Sequence, residues 1–393
     1  MNIILVHNFY GHSAPSGENK AFEAEKRMLR EKGHRIMEFT RNSDEVRYCG
    51  LWGRLRAGLS TPWNFFMARK IRRMAESFKP DIVHVHNVFP LVSPAVFWAL
   101  DGLAPRVLTL HNYRLFCPAA IPLRRGKICT ECLDKKSALP SLLHGCYQNS
   151  RAATLPLAVG VGLHRALGTW KKQVDAFIAL TDFQAEQMAA AGLEREKIHV
   201  KPNFFPDDVD CLPWPEREDY ILFVGRLSEE KGATTLAKAW RDWGPKAPEL
   251  RVIGEGPQHP EMEGITRGLP VKYLGQLPQE EVLGQLAKAK LLVIPSECFE
   301  GFPMVLAEAS AFGVPAAVSN IGPLPRIVRH LENGLVFSSG DRVSIRETLG
   351  MAWNEPGLLE RLGRESRNSY RDKYTKDRNY GALIDIYHRT LKK

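Results

Sequence analysis

The sequence predicts an α/β chain built as two doubly wound parallel-sheet domains. Two observations carry this. Short apolar runs alternate with helical stretches in both halves of the chain, the pattern of repeated βα units. Between the halves lies PNFFPDDVDCLPWP, residues 202–215, whose four prolines read as an interdomain linker.

Residues 2–8 form the first strand. A glycine-bounded loop, Gly11 to Gly17, leads into a helix over about 18–32 with apolar residues at Ala21, Phe22, Met28 and Leu29, and Gly33 ends it. Residues 35–39 form the second strand. Residues 41–79 are basic and aromatic, with Trp52, Trp63, Phe65 and Phe66 interleaved among Arg47, Arg54, Arg56, Arg69, Lys70, Arg72 and Arg73. Strands follow at 81–86, at 107–110 (ending at His111), at 177–180 and at 198–201. Thr181 is placed to cap the helix after the third of these. Beyond the linker, strands are expected at 220–224, 250–253, 271–274, 291–294 and 314–318. A last helix over about 375–392 carries Tyr380, Leu383, Ile384, Tyr387 and Leu391 at helical spacing.

Length and composition narrow the class. The chain has 393 residues, 44% apolar and 25% charged, enough for two ordinary globular domains. Its most apolar stretch, 155–163, is far shorter than the roughly 20 residues that span a bilayer. Met1 runs directly into a strand without a basic leader, so no signal peptide is expected and the location is expected to be cytoplasmic. The formal net charge of +10 suggests an acidic partner, either nucleic acid or an anionic membrane. Seven cysteines in such a chain do not suggest a disulfide framework.

The chemistry concentrates in LLVIPSECFEGFPMVLAEASAFGVPAAVS, residues 291–319. A buried strand ends at Pro295, a loop carries Glu300, and a helix over about 304–312 carries Glu308. Gly313 and Pro315 end that helix, and a second strand follows. Ligands of open parallel sheets bind beyond the carboxyl ends of the strands, and a helix start there suits phosphate. A carboxylate at such a place needs a different partner, and sugar hydroxyls donate well to carboxylates. The alternative is that both glutamates are acids favoured by the helix dipole. The strand at 220–224 runs into Gly225-Arg226-Leu227-Ser228-Glu229-Glu230-Lys231-Gly232, where two cations flank a turn. An arginine fork and a lysine point charge suit a diphosphate and the charge that grows on it as it leaves.

These residues resemble the C-terminal domain of the retaining glycosyltransferases of family four, which have the two-domain GT-B fold. The shared pieces are GRLSEEKG (225–232), VIGEGP (252–257), YLGQL (273–277) and PSECFEGFPMVLAEASAFGVP (295–315). The resemblance implies two Rossmann-like domains facing one another across a cleft. The N-terminal, acceptor-binding domain covers 1–205, the nucleotide-sugar domain covers 206–374, and a helix at 375–393 crosses back to the first domain. It implies that Arg226 and Lys231 hold the donor diphosphate, Glu308 the ribose, and Glu300 the donor sugar. The backbone at Met304 and Val305 would meet phosphate, Leu274 and Gly275 the base, and Gly254, Gly301, Phe302 and Gly17 further parts of the donor. His111 would lie beside the transferred sugar, so the catalytic set is His111, Glu300, Arg226 and Lys231. His84 and His86, which alternate with apolar residues, read as hydrogen-bonded structural histidines.

The activity so implied is a retaining, metal-independent transfer from a nucleotide-diphosphate sugar to a glycan or lipid-linked hydroxyl, as in surface polysaccharide or glycoconjugate synthesis. No cofactor is expected for catalysis. Cys117, Cys129, Cys132 and Cys146 are spaced C-x11-C-x2-C-x13-C. They resemble an insertion in one branch of the family, and they suggest either a structural Zn²⁺ or free thiols. The stretch 41–73 and the apolar segment 155–172, which ends in Trp170, Lys171 and Lys172, suggest peripheral contact with an anionic inner membrane face. Segment 155–172 reads equally as a helix packed on the first sheet. Two other assignments compete: another GT-B enzyme, such as a sugar-nucleotide epimerase or phosphorylase, and a basic zinc-knuckle protein that binds nucleic acid. The second leaves Glu300 and Glu308 unexplained and lacks a recognition helix, so nucleic acid is not an expected partner.

Overall fold

The computed structural model describes residues 1–11, 16–47 and 50–392, without the side chains of residues 47, 51, 52 and 54–56. Cys49, most of the Gly11 to Gly17 loop, and the side chains of Arg47, Trp52, Arg54 and Arg56 therefore lie outside the described residues. The chain divides into two compact units. The first comprises Met1–Pro122, Cys129–Asn203 and Lys376–Lys393; the second comprises Leu123–Ile128 and Phe204–Thr375. The C-terminal helix, Lys376–Leu391, thus belongs to the first unit.

The first unit is built on strands β1 (Asn2–Phe9), β2 (Arg35–Asn42), β3 (Ile82–Val85) and β4 (Arg106–Leu110). A two-stranded hairpin of β5 (Leu123–Arg124) and β6 (Lys127–Ile128) leaves for the second unit, and β7 (Ala176–Ala179) and β8 (Ile198–Val200) complete the sheet. The sheet order is β2-β1-β3-β4-β7-β8, with every pairing parallel. The strands read as unbroken apolar runs because helices cover both faces of such sheets.

Helix Gly17–Glu31 shows how the sequence sets this packing. Ser16 caps it by accepting from Glu18 N. Its buried stripe is Ala21, Phe22, Glu25, Met28 and Leu29, so a carboxylate lies on the face that packs inward. The basic region is helical at Asp44–Arg47, Gly50–Ser60 and Phe65–Phe78. In the last of these Asn64 caps Met67 N at 3.1 Å, Ala68, Ile71 and Ala75 face the core, and Phe65, Phe66, Arg69, Lys70, Arg72 and Arg73 are exposed. Helix Arg151–Ala166 does two things at once. It buries Leu157, Ala158 and Val161 and leaves Leu155 and Val159 exposed at an i, i+4 spacing. Trp170 is buried, so it is not available as an interfacial anchor.

The second unit carries β9 (Tyr220–Val224), β10 (Glu249–Ile253), β11 (Val271–Gly275), β12 (Leu291–Ile294), β13 (Ala316–Ser319) and β14 (Gly334–Phe337). Its order is β11-β10-β9-β12-β13-β14, again all parallel. β14 is four residues long and begins at the glycine of an Asn333-Gly334 step, so neither length nor alternation announces it in the sequence. Trp240 anchors one face of this core, fully buried with Nε1 donating to the Pro248 carbonyl at 2.9 Å. Strand order reverses between β9 and β12, which makes the carboxyl ends of these two strands the place where a ligand finds a crevice.

Candidate active site

The loops leaving β9 and β12 meet at that reversal. Gly232 adopts φ +67°, and a Cβ there would lie 1.9 Å from the Pro295 carbonyl oxygen. Only glycine lets the two loops approach this closely. The approach brings Lys231 Nζ to 2.7 Å from Glu300 Oε1. Ser296 Oγ donates to the same oxygen at 2.6 Å, and Glu297 N donates to the Glu230 carbonyl at 3.0 Å. Burial pushes the Lys231 ammonium down, but Glu300 outweighs it and holds the lysine above its ordinary value. Arg226, in the same loop, is exposed.

The neighbouring loops close in by the same device. Gly254 has φ +132°, and a Cβ there would meet the Gly225 carbonyl at 2.0 Å. Gly225 N donates to the Ile253 carbonyl at 3.0 Å and Gly254 N to the Gly275 carbonyl at 2.8 Å. Three successive strand ends are thereby tied edge to edge, with Arg226 and Lys231 on the first.

From β12 the chain passes Glu300, Gly301 and the buried Phe302, whose ring lies 5.2 Å from that of Tyr374, and enters helix Met304–Ala311. Pro303 precedes that helix and makes no side-chain cap hydrogen bond, so no Pro303 side chain satisfies the first-turn N–H groups at Met304 and Val305. Glu308 is buried one turn further on and accepts from Gln279 Nε2 at 3.0 Å. The second unit therefore brings Arg226, Lys231, Gly254, Gly275, Glu300, Gly301, Phe302, Met304, Val305 and Glu308 to one sheet edge. Ser296 and Gln279, which orient the two glutamates, are not among the sequence-derived residues; nothing distinguishes them from ordinary loop and helix polar residues.

The first unit has its own polar centre at the ends of β1, β3 and β4. His111, just after β4, contacts His86 just after β3, with His111 Nε2 3.0 Å from His86 Nδ1. His86 Nε2 is 3.1 Å from Glu25 Oε1. His84 Nδ1 is 3.0 Å from the same oxygen and 2.7 Å from Tyr387 Oη, and its Nε2 is 2.7 Å from Thr109 Oγ1. Lys201 Nζ donates to Glu25 Oε2 and Asn379 Oδ1, both at 3.0 Å. Burial pushes the Glu25 carboxyl up, but Lys201, then His84 and His86, outweigh it and hold it well below the usual range. Burial lowers His84 to about 4 and His7 to about 3, and holds His111 well below its ordinary value. Glu25, His84 and His86 have donor atoms close enough to hold a cation. Lys201 already neutralises that carboxylate, and both nitrogens of His84 are engaged, so the cluster is satisfied as it stands. Gly17 opens its helix, and the loop before it is outside the described residues.

The four cysteines of the insertion gather in one region, where Cys132 and Cys146 add to the rise in the Cys117 thiol, pushed up to about 12 chiefly by burial. Zn²⁺ bound by thiolates at about 2.3 Å needs sulfurs roughly 4 Å apart. Among the described residues, no three of these sulfurs lie within 4.8 Å of one another. As placed they do not form a ligand set.

Comparison with known proteins identifies the two domains. Residues 22–209 match the Glycosyltransferase Family 4 model, and residues 205–369 match Glycosyl transferases group 1. The chain carries both glycosyltransferase domains of a GT-B protein. Among solved GT-B structures it resembles HepE of Anabaena in complex with UDP (TM-score 0.66, 14% identity, 99% of this chain and 100% of that one). It also resembles sucrose-phosphate synthase of Thermosynechococcus elongatus (TM-score 0.70, 16% identity, 100% and 99%). At such identities the likeness concerns the fold. Among curated relatives, an exopolysaccharide phosphotransferase of Streptomyces coelicolor is 29% identical over 49% of this chain and 21% of its own length. The sulfoquinovosyl transferase of Arabidopsis thaliana is 26% identical over 82% and 61%. The chain thus spans less than two thirds of the length of either relative. Among the described residues, no helix of this GT-B chain is long and apolar enough to cross a membrane.

Proposed function

We propose that this chain is a retaining glycosyltransferase that moves a sugar from a nucleotide-diphosphate donor to a hydroxyl of a glycan or lipid-linked acceptor. The observation that carries the proposal is the Lys231–Glu300 pair at the strand reversal, between the Arg226 loop and the start of helix Met304–Ala311. Two cations and a helix start suit a diphosphate. Two oriented carboxylates, Glu300 held by Lys231 and Ser296 and Glu308 by Gln279, suit the hydroxyls of the sugar and of the ribose. Relatives named as a sulfoquinovosyl transferase and a lipopolysaccharide galactosyltransferase, and solved neighbours holding UDP or UDP-glucose, support this class of donor.

In the proposed reaction, negative charge grows on the leaving diphosphate as the glycosidic bond breaks. Arg226 and Lys231 stabilise that charge without a metal. Glu300 fixes the sugar ring by accepting from its hydroxyls, and His111 takes the position beside the transferred sugar that the family resemblance assigns. The acceptor attacks from the same face, and the leaving phosphate oxygen takes its proton, so the anomeric configuration is retained.

The exposed Phe65 and Phe66, with Arg69, Lys70, Arg72 and Arg73 behind them, support peripheral contact with an anionic membrane surface. The test of the donor assignment is a panel of UDP-, GDP- and ADP-sugars scored for thermal stabilisation. One base family should stabilise the protein; stabilisation by none overturns the proposal.

A further inference from the structure

The chain of contacts behind His111 ends in a carboxylate that no part of the proposed reaction uses. Glu25 is 3% exposed and faces three donors: Lys201 Nζ on one oxygen, and His84 Nδ1 and His86 Nε2 on the other. Beyond His86 Nε2 the path continues through His86 Nδ1 to His111 Nε2 at 3.0 Å, with the two ring planes 22° apart and their centroids separated by 5.2 Å. Helix Gly17–Glu31 supplies the carboxylate, β3 and β4 lead to the imidazoles, and β8 leads to the lysine.

We propose that Glu25 and His86 are positioning residues that impose one tautomer on His111, with the proton on Nε2 and the lone pair on Nδ1.

Donors and acceptors alternate along one line. A carboxylate only accepts, so the His86 nitrogen facing it carries the proton. A neutral imidazole has one N–H, so His86 Nδ1 is then an acceptor. The nitrogen facing it, His111 Nε2, must be the donor, and His111 Nδ1 is left with its lone pair. The count requires His86 to be neutral. Lys201 meets that requirement because it already balances the Glu25 charge at 3.0 Å, so a second cation on His86 would be an unpaired buried charge. His84 fits the same scheme. Its Nδ1–H faces Glu25, and its Nε2 accepts from Thr109 Oγ1 at 2.7 Å. The consequence for catalysis rests on the transferase reading: His111 meets the sugar as an acceptor of a hydroxyl proton, not as a donor.

The tautomer is read directly from ¹⁵N-histidine-labelled full-length protein by long-range ¹H–¹⁵N correlation. In the wild type, His111 should show a pyridine-like Nδ1 and a pyrrole-like Nε2. Glu25→Gln offers a carboxamide N–H to His86, reverses each step of the line, and should move the His111 proton to Nδ1. Should that variant fail to fold, Lys201→Gln serves. Loss of the counterion draws a proton onto His86, whose Nδ1–H then donates to His111 Nε2, with the same reversal. A protonated Nδ1 in the wild type, or an unchanged His111 pattern in a folded variant, overturns the proposal. A misplaced tautomer in serine hydrolases is catalytically costly, so Glu25→Gln should also lower kcat by roughly tenfold or more with little change in donor KM. A wild type that binds no nucleotide sugar would sink the transferase reading and leave the tautomer measurement to stand or fall by itself.

Discussion

Lys231 Nζ and Glu300 Oε1 lie 2.7 Å apart, joining the loop after β9 to the loop after β12. The contact explains why the lysine remains an ammonium although it is half-buried. It also means that a bound diphosphate and Glu300 compete for one cation. Glu300→Gln removes a charge that would repel phosphate while keeping a side chain of the same size. It should leave affinity for the bare nucleoside diphosphate equal or higher and lower kcat by roughly a hundredfold, the loss expected when a transition-state contact is removed. Equal losses in binding and turnover would show that Glu300 serves the diphosphate and not the sugar.

Gly232 provides a backbone test of the same junction. Gly232→Ala must place a methyl group 1.9 Å from the Pro295 carbonyl at φ +67°. Gly268 has φ +78° with open space around it. Gly268→Ala should cost about 1–2 kcal/mol from backbone strain alone, and Gly232→Ala distinctly more. Denaturant unfolding of the two variants makes the comparison, and equal costs would mean that the loops are not held in contact.

Acid should weaken the first unit through its buried histidines. The folded values of His84 and His7, about 4 and about 3, lie below the ordinary 6.5. Between those values the unfolded chain binds protons that the folded chain does not. Stability is therefore lost as pH falls from about 6.5 toward 4, by up to about 1.4 kcal/mol per pH unit for each such group. Glu25, depressed in the folded state, adds a loss in the same direction below the ordinary carboxylate range. Thermal unfolding across pH 4–7 should show this slope, and His84→Gln should flatten it. Identical slopes for wild type and variant would place the acid sensitivity elsewhere.

The grouping of residues at the strand reversal of the second unit was legible because they are local in sequence. Arg226 and Lys231 share one βα loop, Glu300 and Glu308 share the next strand-helix passage, and the glycines between them have a backbone reason to be glycine. The polar centre of the first unit was not legible in the same way. Glu25 falls among Ala21, Phe22, Met28 and Leu29 on an apolar stripe. An acid on that face was a readable signal, but its partner Lys201 lies 176 positions away, and only the fold joins them. His84 and His86, expected as hydrogen-bonded histidines, are buried and bonded, and His86 leads directly to His111. The cysteine spacing invited a zinc site, yet spacing does not fix where four side chains point, one of them in the short helix Glu131–Asp134. The helices between residues 44 and 78 were obscured by charge, which hides the narrow stripe of Ala68, Ile71 and Ala75.

Phe65 and Phe66 are 61% and 71% exposed at the start of a helix rich in arginine. If this end meets an anionic bilayer, changing both to Ser should abolish most co-sedimentation with phosphatidylserine vesicles while leaving soluble-donor binding unchanged. High salt should weaken the wild-type association, because its basic component is screened. Vesicle binding that is the same in wild type and double variant would remove these residues from any membrane role.

On the proposed function, the loop pair at the strand reversal binds a nucleoside diphosphate through Lys231. Calorimetric titration of UDP, GDP and ADP into wild type and Lys231→Ala tests it most directly. One of the three should bind the wild type, and the variant should bind it at least tenfold more weakly, a change of about 1.4 kcal/mol that one lost charge-assisted bond to phosphate supplies. No binding by the wild type, or undiminished binding by Lys231→Ala, would show that Lys231 does not hold a nucleoside diphosphate.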